Sequence, residues 1–226
     1  MKKYAIIVAG GSGSRMRAEV PKQFLLLRNR PILMHTIQSF IQADADTQIV
    51  LVLPGSQVPF WFSLMKEYRF RLPHRVVNGG ASRFQSVRNG LKHVPHNAVV
   101  AVHDGVRPLC PPSVISNSFD IAQERGNAIV AVPSKDSLRE IREDDGNRAV
   151  DRSAYRIVQT PQTFQSTLLK EAFEVEESPL FTDDASVFEQ SGQAIHLIEG
   201  DYRNIKITTP EDMAIAEAFS EGLISD

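Results

Sequence analysis

A glycine-rich loop directly after the first apolar run is the first candidate for chemistry. Residues 9–16 read Ala-Gly-Gly-Ser-Gly-Ser-Arg-Met. Glycines let the backbone approach a ligand closely and present consecutive N–H groups to an anion. The loop lacks the Gly-Lys-Ser/Thr ending of a P-loop, and Met16 stands where the dinucleotide fingerprint needs a small residue. The loop therefore predicts phosphate binding of another type, with an ordinary flexible turn as the alternative.

Basic side chains at the far end of this loop strengthen the phosphate hypothesis. Arg15, Arg17 and Lys22 fall within eight residues, against a single acid, Glu19. Arginine offers a planar fork to phosphate oxygens, and lysine offers a compact point charge. Glycines followed by such cations suit a triphosphate with ~4 negative charges. A solvated basic turn is the alternative.

A second candidate is Asp104, in the run from His103 to Pro108 that follows the apolar segment Ala98–Val102. A carboxylate at a strand end, on the same sheet edge as the glycine loop, could hold Mg²⁺ or a substrate hydroxyl. Asp-Gly is also an ordinary turn dipeptide. We interpret His103 as structural, because the six histidines show no zinc-site spacing.

Polar clusters further along the chain allow both structural and functional interpretations. Thr182 precedes two acids and is predicted to cap a helix. Lys206 lies in a strand-like Ile-Lys-Ile run, where an outward-facing strand residue is the simpler interpretation. The residues alone thus indicate a nucleotide or phosphate-ester site.

Short apolar runs that alternate with amphipathic stretches must position these residues. Continuous runs of this kind suit buried strands of a parallel sheet, and the helical spacing between them predicts covering helices. We therefore predict an α/β fold in one domain over residues 1–226, with a mostly parallel sheet and helices on both faces. The predicted strands are Tyr4–Val8, Gln48–Leu53, Ala98–Val102 and Ala128–Val132, and the predicted helices are Pro31–Ala43, Pro112–Arg125 and one starting at Thr209-Pro210.

One segment departs from this alternation. Residues 134–158 contain twelve charged residues in twenty-five, six of each sign. Leu138 to Glu143 and Arg148 to Arg152 predict a β-hairpin around an Asp-Gly turn. So charged a hairpin does not belong in a buried sheet. It is either a solvated excursion or an arm that embraces a second subunit.

Composition excludes several classes of protein. The 226 residues are 42% hydrophobic and 23% charged, with a net charge of -2, which argues against disorder and against nucleic-acid binding by bulk positive charge. The single cysteine, Cys110, excludes an internal disulfide framework. No apolar run approaches the ~20 residues that cross a bilayer. The first residues lack a cleavage-site pattern, so we expect a soluble cytoplasmic protein without membrane or nucleic-acid partners.

Taken together, these segments resemble the 2-C-methyl-D-erythritol 4-phosphate cytidylyltransferases of isoprenoid precursor synthesis. The resemblance covers nearly the whole chain, and its motifs occur in the family's order. They are the loop of residues 9–16, Pro21-Lys22-Gln23, Gly79-Gly80 with Ser86-Val87, His103-Asp104-x-x-Arg107-Pro108, Arg152, Thr160-Pro161-Gln162, Thr182-Asp183-Asp184-Ala185-Ser186 and Asn204-Ile205-Lys206-Ile207-Thr208.

The resemblance implies a Rossmann-like nucleotidyltransferase fold with a protruding β-arm at residues 134–158, and a homodimer joined through that arm. It implies transfer of a cytidylyl group from CTP to 2-C-methyl-D-erythritol 4-phosphate, with release of pyrophosphate. It also implies a divalent cation, Mg²⁺, with Asp104 as its tentative ligand.

The resemblance further assigns roles to individual residues. Those matching the nucleotide site are Ala9, Gly10, Gly11, Gly13, Gly79, Ser82, Ser86 and Asp104. Those matching the catalytic cations are Arg15, Lys22, Arg152 and Lys206, of which Arg152 would reach the neighbouring subunit's site. Those matching the polyol-phosphate side are Asp104, Arg107, Arg152, Thr182 and Lys206.

Some positions depart from the family pattern, and rival functions remain. Gly10, Ala81 and Gly105-Val106 replace residues that are more usual there, which affects the finer nucleotide contacts. A ribitol 5-phosphate cytidylyltransferase would share the fold, the CTP site and the attacking phosphate. A non-catalytic nucleotide-binding regulator is the rival of another class, but it would have little reason to keep Arg15, Lys22 and Lys206 together.

Overall fold

Strands and helices alternate along most of the chain in the computed structural model, which describes residues 1–10, 20–142 and 146–221. The strands are β1 (Lys2–Val8), β2 (Leu26–Leu27), β3 (Arg30–Pro31), β4 (Gln48–Leu53), β5 (Arg75–Asn78), β6 (Ala98–Asp104), β7 (Asn127–Pro133), β8 (Arg139–Ile141), β9 (Asn147–Ala149), β10 (Arg156–Gln165) and β11 (Leu197–Glu199). The helices are α1 (Ile32–Ala43), α2 (Val58–Glu67), α3 (Arg83–Leu91), α4 (Pro112–Arg125), α5 (Ser166–Ala172), α6 (Asp184–Gln190) and α7 (Pro210–Ser220). In the described ranges, no helix combines the length and apolarity needed to span a membrane.

The centre is a seven-stranded sheet in the order β11-β7-β10-β6-β1-β4-β5. β1 pairs in parallel with β4 and β6, as do β4 with β5 and β7 with β11. β10 runs antiparallel to its neighbours, β6 and β7. The predicted mostly parallel α/β fold is confirmed.

All four predicted strands form, and three of them extend further than predicted. Lys2 and Lys3 lengthen β1, and β7 gains one residue at each end, whereas β4 has the predicted bounds. β6 continues through His103 and Asp104, which pair with Ile7 and Val8. The apolar run that predicted this strand ends at Val102, but backbone pairing extends it through the polar residues His103 and Asp104. These two residues therefore lie at the carboxyl edge of the sheet.

Three strands of the central sheet, β5, β10 and β11, were not predicted, and β10 is the longest of them. Pro161 lies inside it, and proline cannot donate to a ladder, so a proline argues against a central strand. The structure accommodates Pro161 through a register shift between Val158 and Gln162. β10 pairs with β7 before this irregularity and with both neighbours after it.

Helices cover both faces of the sheet, as predicted. Ile7 faces a cluster with α1, α2 and α4, whereas its neighbour Ile6 faces α3, α5 and α6 on the other side. The alternation follows from the two-residue period of a strand. Within α1, Leu33, Ile37 and Phe40 recur at helical spacing and are fully buried.

The helix-end predictions are confirmed at two helices and need correction at two others. α4 ends at Gly126, whose φ of 93° favours glycine. Thr209 caps α7 with a reciprocal capping box to Asp212. Pro31, predicted as the first residue of α1, is instead its N-cap. Thr182, predicted to cap α6, precedes the actual cap, Asp183, whose carboxylate accepts from Ser186 N–H at 2.9 Å.

The charged arm forms the predicted hairpin. β8 and β9 are antiparallel, and Glu140 pairs with Arg148 across the ladder. The predicted Asp-Gly turn falls partly on residues 143–145, which lie outside the described residues. The predicted arm boundary at residue 158 is too late, because Arg156–Val158 already pair with β7 in the main sheet.

Candidate active site

A cavity of about 230 Å³ opens at the carboxyl ends of β1 and β6. Such an edge is the expected ligand site of an open α/β sheet. The residues that line it are Val8, Ala9, Gly10, Lys22, Gln23, Gly80, Ala81, Ser82, Arg83, Ser86, Asp104, Val106 and Lys206.

The structure brings together seven of the residues that the sequence analysis selected. Those that line the cavity are Ala9, Gly10, Lys22, Ser82, Ser86, Asp104 and Lys206. Gly79 and Arg107 do not line the cavity, but Gly79 precedes the lining residue Gly80 and Arg107 contacts Asp104. Thr182 and Arg152 are exposed and do not line it. Gly11, Gly13 and Arg15 lie outside the described residues.

A tight turn from Gly79 to Ser86 forms one wall. Ser82 caps α3 by accepting from Gln85 N–H at 3.1 Å. The buried Ser86 hydroxyl donates to the Ser82 carbonyl at 2.8 Å and accepts from Gly80 N–H at 3.1 Å. A side chain on Gly80 would place its Cβ 2.3 Å from the Cβ of Gln85, so the close approach requires glycine. Ser86 therefore shapes this wall.

The buried amide of Gln23 supports the opposite wall. Its Nε2 donates to the Ala9 carbonyl at 2.8 Å and to Gln57 Oε1 at 2.6 Å. Gln23 follows Lys22 in a short 3-10 helix, Lys22–Phe24, so the same turn that places the lysine also anchors the end of β1. In the sequence, Gln23 stands out only as part of the Pro21-Lys22-Gln23 motif. Nothing local to the sequence shows that its partners are 14 and 34 residues away.

Asp104 is the electrostatic centre of the cavity. Its Oδ2 lies 3.0 Å from Arg107 Nε and 3.1 Å from Lys206 Nζ. Burial opposes ionisation, but Lys206, Arg107 and Arg83 together lower the pKa of Asp104 well below its usual range. The carboxylate therefore stays charged and holds two cations. Lys206 belongs to no strand, which corrects the strand interpretation of its Ile-Lys-Ile run.

His103 and Thr160 fix Asp104 from behind. Thr160 Oγ1 accepts from Asp104 N–H at 3.1 Å and lies 3.1 Å from His103 Nδ1. His103 Nε2 lies 3.2 Å from the Arg107 carbonyl. Burial lowers the pKa of His103 to about 4, so the imidazole is neutral near pH 7. These contacts support the structural interpretation of His103.

An ion pair that the sequence analysis missed closes the back of the cavity. Arg83 Nη1 and Nη2 donate to the two oxygens of Asp184 at 2.8 and 2.6 Å. Burial alone would lower the pKa of Arg83, but the Asp184 carboxylate raises it, so the guanidinium stays charged. Gln162 Oε1 accepts from the backbone N–H groups of Asp184 and Ala185. Arg83 and Asp184 are 101 residues apart, so their pairing required the fold.

The site fits a metal ion that arrives with a phosphorylated ligand. Both cations contact Oδ2 of Asp104, and the described residues supply no contact to Oδ1. Nor do they contain a cluster of three or more His, Cys, Asp or Glu that could hold a resident metal. Mg²⁺ commonly takes one or two carboxylates and completes its shell with phosphates and water.

Removing Arg83 should destabilise the fold. In Arg83→Met, the buried Asp184 carboxylate loses its partner, and we expect a loss of about 3 kcal/mol in the free energy of unfolding, measured with urea. Arg83→Met with Asp184→Leu removes both charges and should recover most of that loss. Lys3→Met, which breaks a more exposed pair with Asp44, is the control and should cost less than about 1 kcal/mol. Equal stability of Arg83→Met and the wild type would show that the pair contributes nothing.

Comparisons with known proteins agree with this geometry. The family model described as 2-C-methyl-D-erythritol 4-phosphate cytidylyltransferase matches residues 4–221. A relative of that name from Azobacteroides pseudotrichonymphae genomovar. CFP2 is 52% identical over 220 residues, covering 96% of this chain and 98% of the relative. One from Porphyromonas gingivalis (strain W83) is 51% identical over 217 residues, covering 96% of each.

Solved structures give the same result. The 4-diphosphocytidyl-2C-methyl-D-erythritol synthase of Anaerococcus prevotii has a TM-score of 0.83 at 28% identity, covering 97% of this chain and 96% of the other. The 2-C-methyl-D-erythritol 4-phosphate cytidylyltransferase of Thermus thermophilus has a TM-score of 0.79 at 30% identity, covering 98% and 100%. Because the family model matches residues 4–221 and relatives are about half identical, this chain belongs to the 2-C-methyl-D-erythritol 4-phosphate cytidylyltransferase family, and its fold agrees.

Proposed function

We propose that this protein transfers the cytidylyl group of CTP to 2-C-methyl-D-erythritol 4-phosphate, forming 4-diphosphocytidyl-2-C-methyl-D-erythritol and pyrophosphate. The observation that carries the proposal is the cavity at the sheet edge, which Lys22, Arg83 and Lys206 line together with the ion-paired carboxylate of Asp104. A site that joins two phosphorylated substrates needs such an excess of cations, because the substrates repel each other.

The reaction needs positioning more than proton transfer. An oxygen of the sugar phosphate attacks the α-phosphorus of CTP, and the bond from that phosphorus to the pyrophosphate oxygen breaks. The attacking oxygen is already anionic, so no general base is required. No histidine lines the described part of the cavity, and Asp104 is held by cations. Catalysis then consists of alignment and charge stabilisation.

Lys22 and Arg15 are the proposed stabilisers of the charge that develops on the α-phosphate. Lys22 lines the cavity together with Gly10, at the start of the short helix that Gln23 anchors. A cation fixed before the reaction does not need to reorganise when the charge develops. Arg15 is assigned this role from the family motif.

Different groups of residues are proposed to bind the two substrates. Gly79, Ser82 and Ser86 are proposed neighbours of the cytosine and ribose, and the loop of Ala9, Gly10, Gly11 and Gly13 is proposed to bind the CTP phosphates. Asp104, Arg107, Thr182 and Lys206 are proposed to bind the polyol phosphate. Asp104 can accept a hydroxyl hydrogen bond through Oδ1, while Lys206 and Arg107 retain donors beyond their ion pairs.

A divalent cation, Mg²⁺, is proposed to enter with CTP. When bound, it would neutralise charge on the phosphates, and Asp104 would supply its one protein carboxylate. The surrounding cations keep Asp104 ionised and able to act as a ligand.

The arm is proposed to join two subunits and complete their sites. Arg152 is exposed and donates to the Lys135 carbonyl at the base of the arm, and it does not line the cavity of its own subunit. Ile141, Tyr155 and Ile157 are also exposed, which gives this region an apolar surface for a second copy. Exchange of arms in a two-fold dimer would bring Arg152 to the partner's polyol phosphate.

The first test measures pyrophosphate release with each of four nucleoside triphosphates against 2-C-methyl-D-erythritol 4-phosphate and ribitol 5-phosphate. We expect turnover with CTP and the methylerythritol substrate, and its loss in excess chelator. A preference for ribitol 5-phosphate would contradict the proposed acceptor. Binding of CTP without turnover would favour a regulator, and full activity without metal would contradict the role of Mg²⁺.

Replacing Lys22 should mainly slow the chemical step. Loss of one preorganised donor commonly lowers kcat by about 10²–10³-fold, and we expect this for Lys22→Ala. Lys92→Ala, a change to an exposed lysine outside the cavity lining, is the control and should retain wild-type kinetics. A normal kcat with a raised KM for CTP would show that Lys22 serves ground-state binding instead.

A mixing experiment tests whether subunits share their sites. Arg152→Ala and Lys206→Ala should each be nearly inactive, although folded and dimeric. Unfolded together and refolded as an equal mixture, half of the dimers should be mixed, and each should contain one intact site. Activity should then recover to about a quarter of the wild-type value, the statistical limit for sites shared across a two-fold interface. A mixture as inactive as its parents would show that Arg152 acts within its own subunit.

A further inference from the structure

The segment that carries Lys206 belongs to no regular element. Residues 200–209 link β11 to α7, and within them no helix or strand is formed. Even so, Lys206 Nζ lies 3.1 Å from Asp104 Oδ2, a separation that a loosely held loop would not maintain. Specific contacts must therefore replace the missing secondary structure.

Asn204 supplies two of these contacts through its side chain. It is fully buried, and its Nδ2 donates to the Thr160 carbonyl at 2.8 Å and to Gln159 Oε1 at 3.1 Å. Both acceptors belong to the irregular part of β10, where Gln159 to Pro161 have no ladder partner in β7. Because buried carbonyl oxygens need donors, the register shift leaves the Thr160 carbonyl for Asn204 to satisfy, and the Gln159 side chain adds a second acceptor.

Two connections lead from Asn204 to the site. Its backbone carbonyl accepts from Arg107 Nη1 at 2.7 Å, which orients the guanidinium whose Nε contacts Asp104. Its side chain contacts Thr160, whose hydroxyl oxygen accepts from Asp104 N–H. Two residues further on, Lys206 closes the arrangement from the other side of the carboxylate.

We propose that Asn204 is a positioning residue that places Arg107 and Lys206 around Asp104 for binding of the polyol phosphate. This inference rests on the proposed function and extends it to a buried side chain outside the cavity lining. The chemistry explains why asparagine is suitable. Its two amide hydrogens meet two oxygen acceptors, which an aspartate carboxylate could not do and an alanine would leave unsatisfied, whereas its own buried Oδ1 has no hydrogen-bond partner among the described residues.

Asn127 offers a matched control. It is 2% exposed, its Nδ2 donates to the Ala194 carbonyl at 2.8 Å, and its Oδ1 accepts from His196 N–H at 2.8 Å. Like Asn204, it is a buried asparagine that ties an irregular segment to the sheet. It begins β7, however, and therefore lies at the edge opposite the cavity.

The experiment compares Asn204→Ala with Asn127→Ala. Urea unfolding at the assay temperature first confirms that both variants are folded. For Asn204→Ala we expect kcat/KM for the polyol phosphate to fall about 10- to 100-fold, the scale for small misplacements of reacting groups. KM for CTP should change much less. Asn127→Ala should stay within about threefold of the wild type, because a loss of stability does not by itself change the kinetics of the molecules that remain folded. Equal kinetics of the two variants, or equal changes in both substrates' KM values, would overturn the proposal.

A second measurement does not depend on turnover. Lys206 is accessible to an acylating reagent, and its ion pair with Asp104 should slow its modification by acetic anhydride, followed by peptide mass spectrometry. Asn204→Ala should increase the labelling rate of Lys206 several-fold, and Asn127→Ala should not. An unchanged rate would contradict positioning by Asn204, whereas a wild-type enzyme that labels as expected but does not turn over CTP would contradict the proposed function alone.

Discussion

The buried carboxylate of Asp104 is the charge around which the site is organised. A carboxylate removed from water is costly unless cations and hydrogen bonds compensate for it. Here Arg107 and Lys206 supply that compensation, and Thr160 Oγ1 accepts from the backbone N–H of Asp104. These three residues come from the turn after β6, from the segment before α7 and from β10. The contacts of Asp104 therefore link three parts of the chain.

This compensation also governs what the site can do. With its pKa lowered by the neighbouring cations, Asp104 stays ionised and is poorly suited to accept a proton in catalysis. It can still accept a substrate hydroxyl or contribute to a metal site. Lys206 uses one of its three N–H groups on Asp104, which leaves two for the phosphate contact proposed above. In that proposal Asp104 accepts from the polyol, while Lys206 stabilises the charge of the phosphate.

The sequence predicted what depends on local patterns and missed what depends on distant pairing. Continuous apolar runs located the buried strands, and Asp104 could be placed at the sheet edge because it follows one of them. Thr209 was recognised as a cap from the residues beside it. The pairing of Arg83 with Asp184 had no such local signal, because either residue taken alone is expected to be a solvated surface residue. Thr182 was mistaken for a cap because Asp183, one residue later, is an equally good one.

The failure to predict β10 has the same origin as its role in the site. A proline lowers the expectation of a strand because it interrupts the ladder, and the interruption leaves backbone acceptors without a partner in the ladder. In this fold those acceptors face Asn204, and the neighbouring Thr160 hydroxyl faces Asp104 and His103. A regular strand would have used the Thr160 carbonyl in its own pairing. The register shift at Pro161 therefore has two consequences. It makes β10 hard to predict from the sequence, and it frees the Thr160 carbonyl of this central strand to bind Asn204.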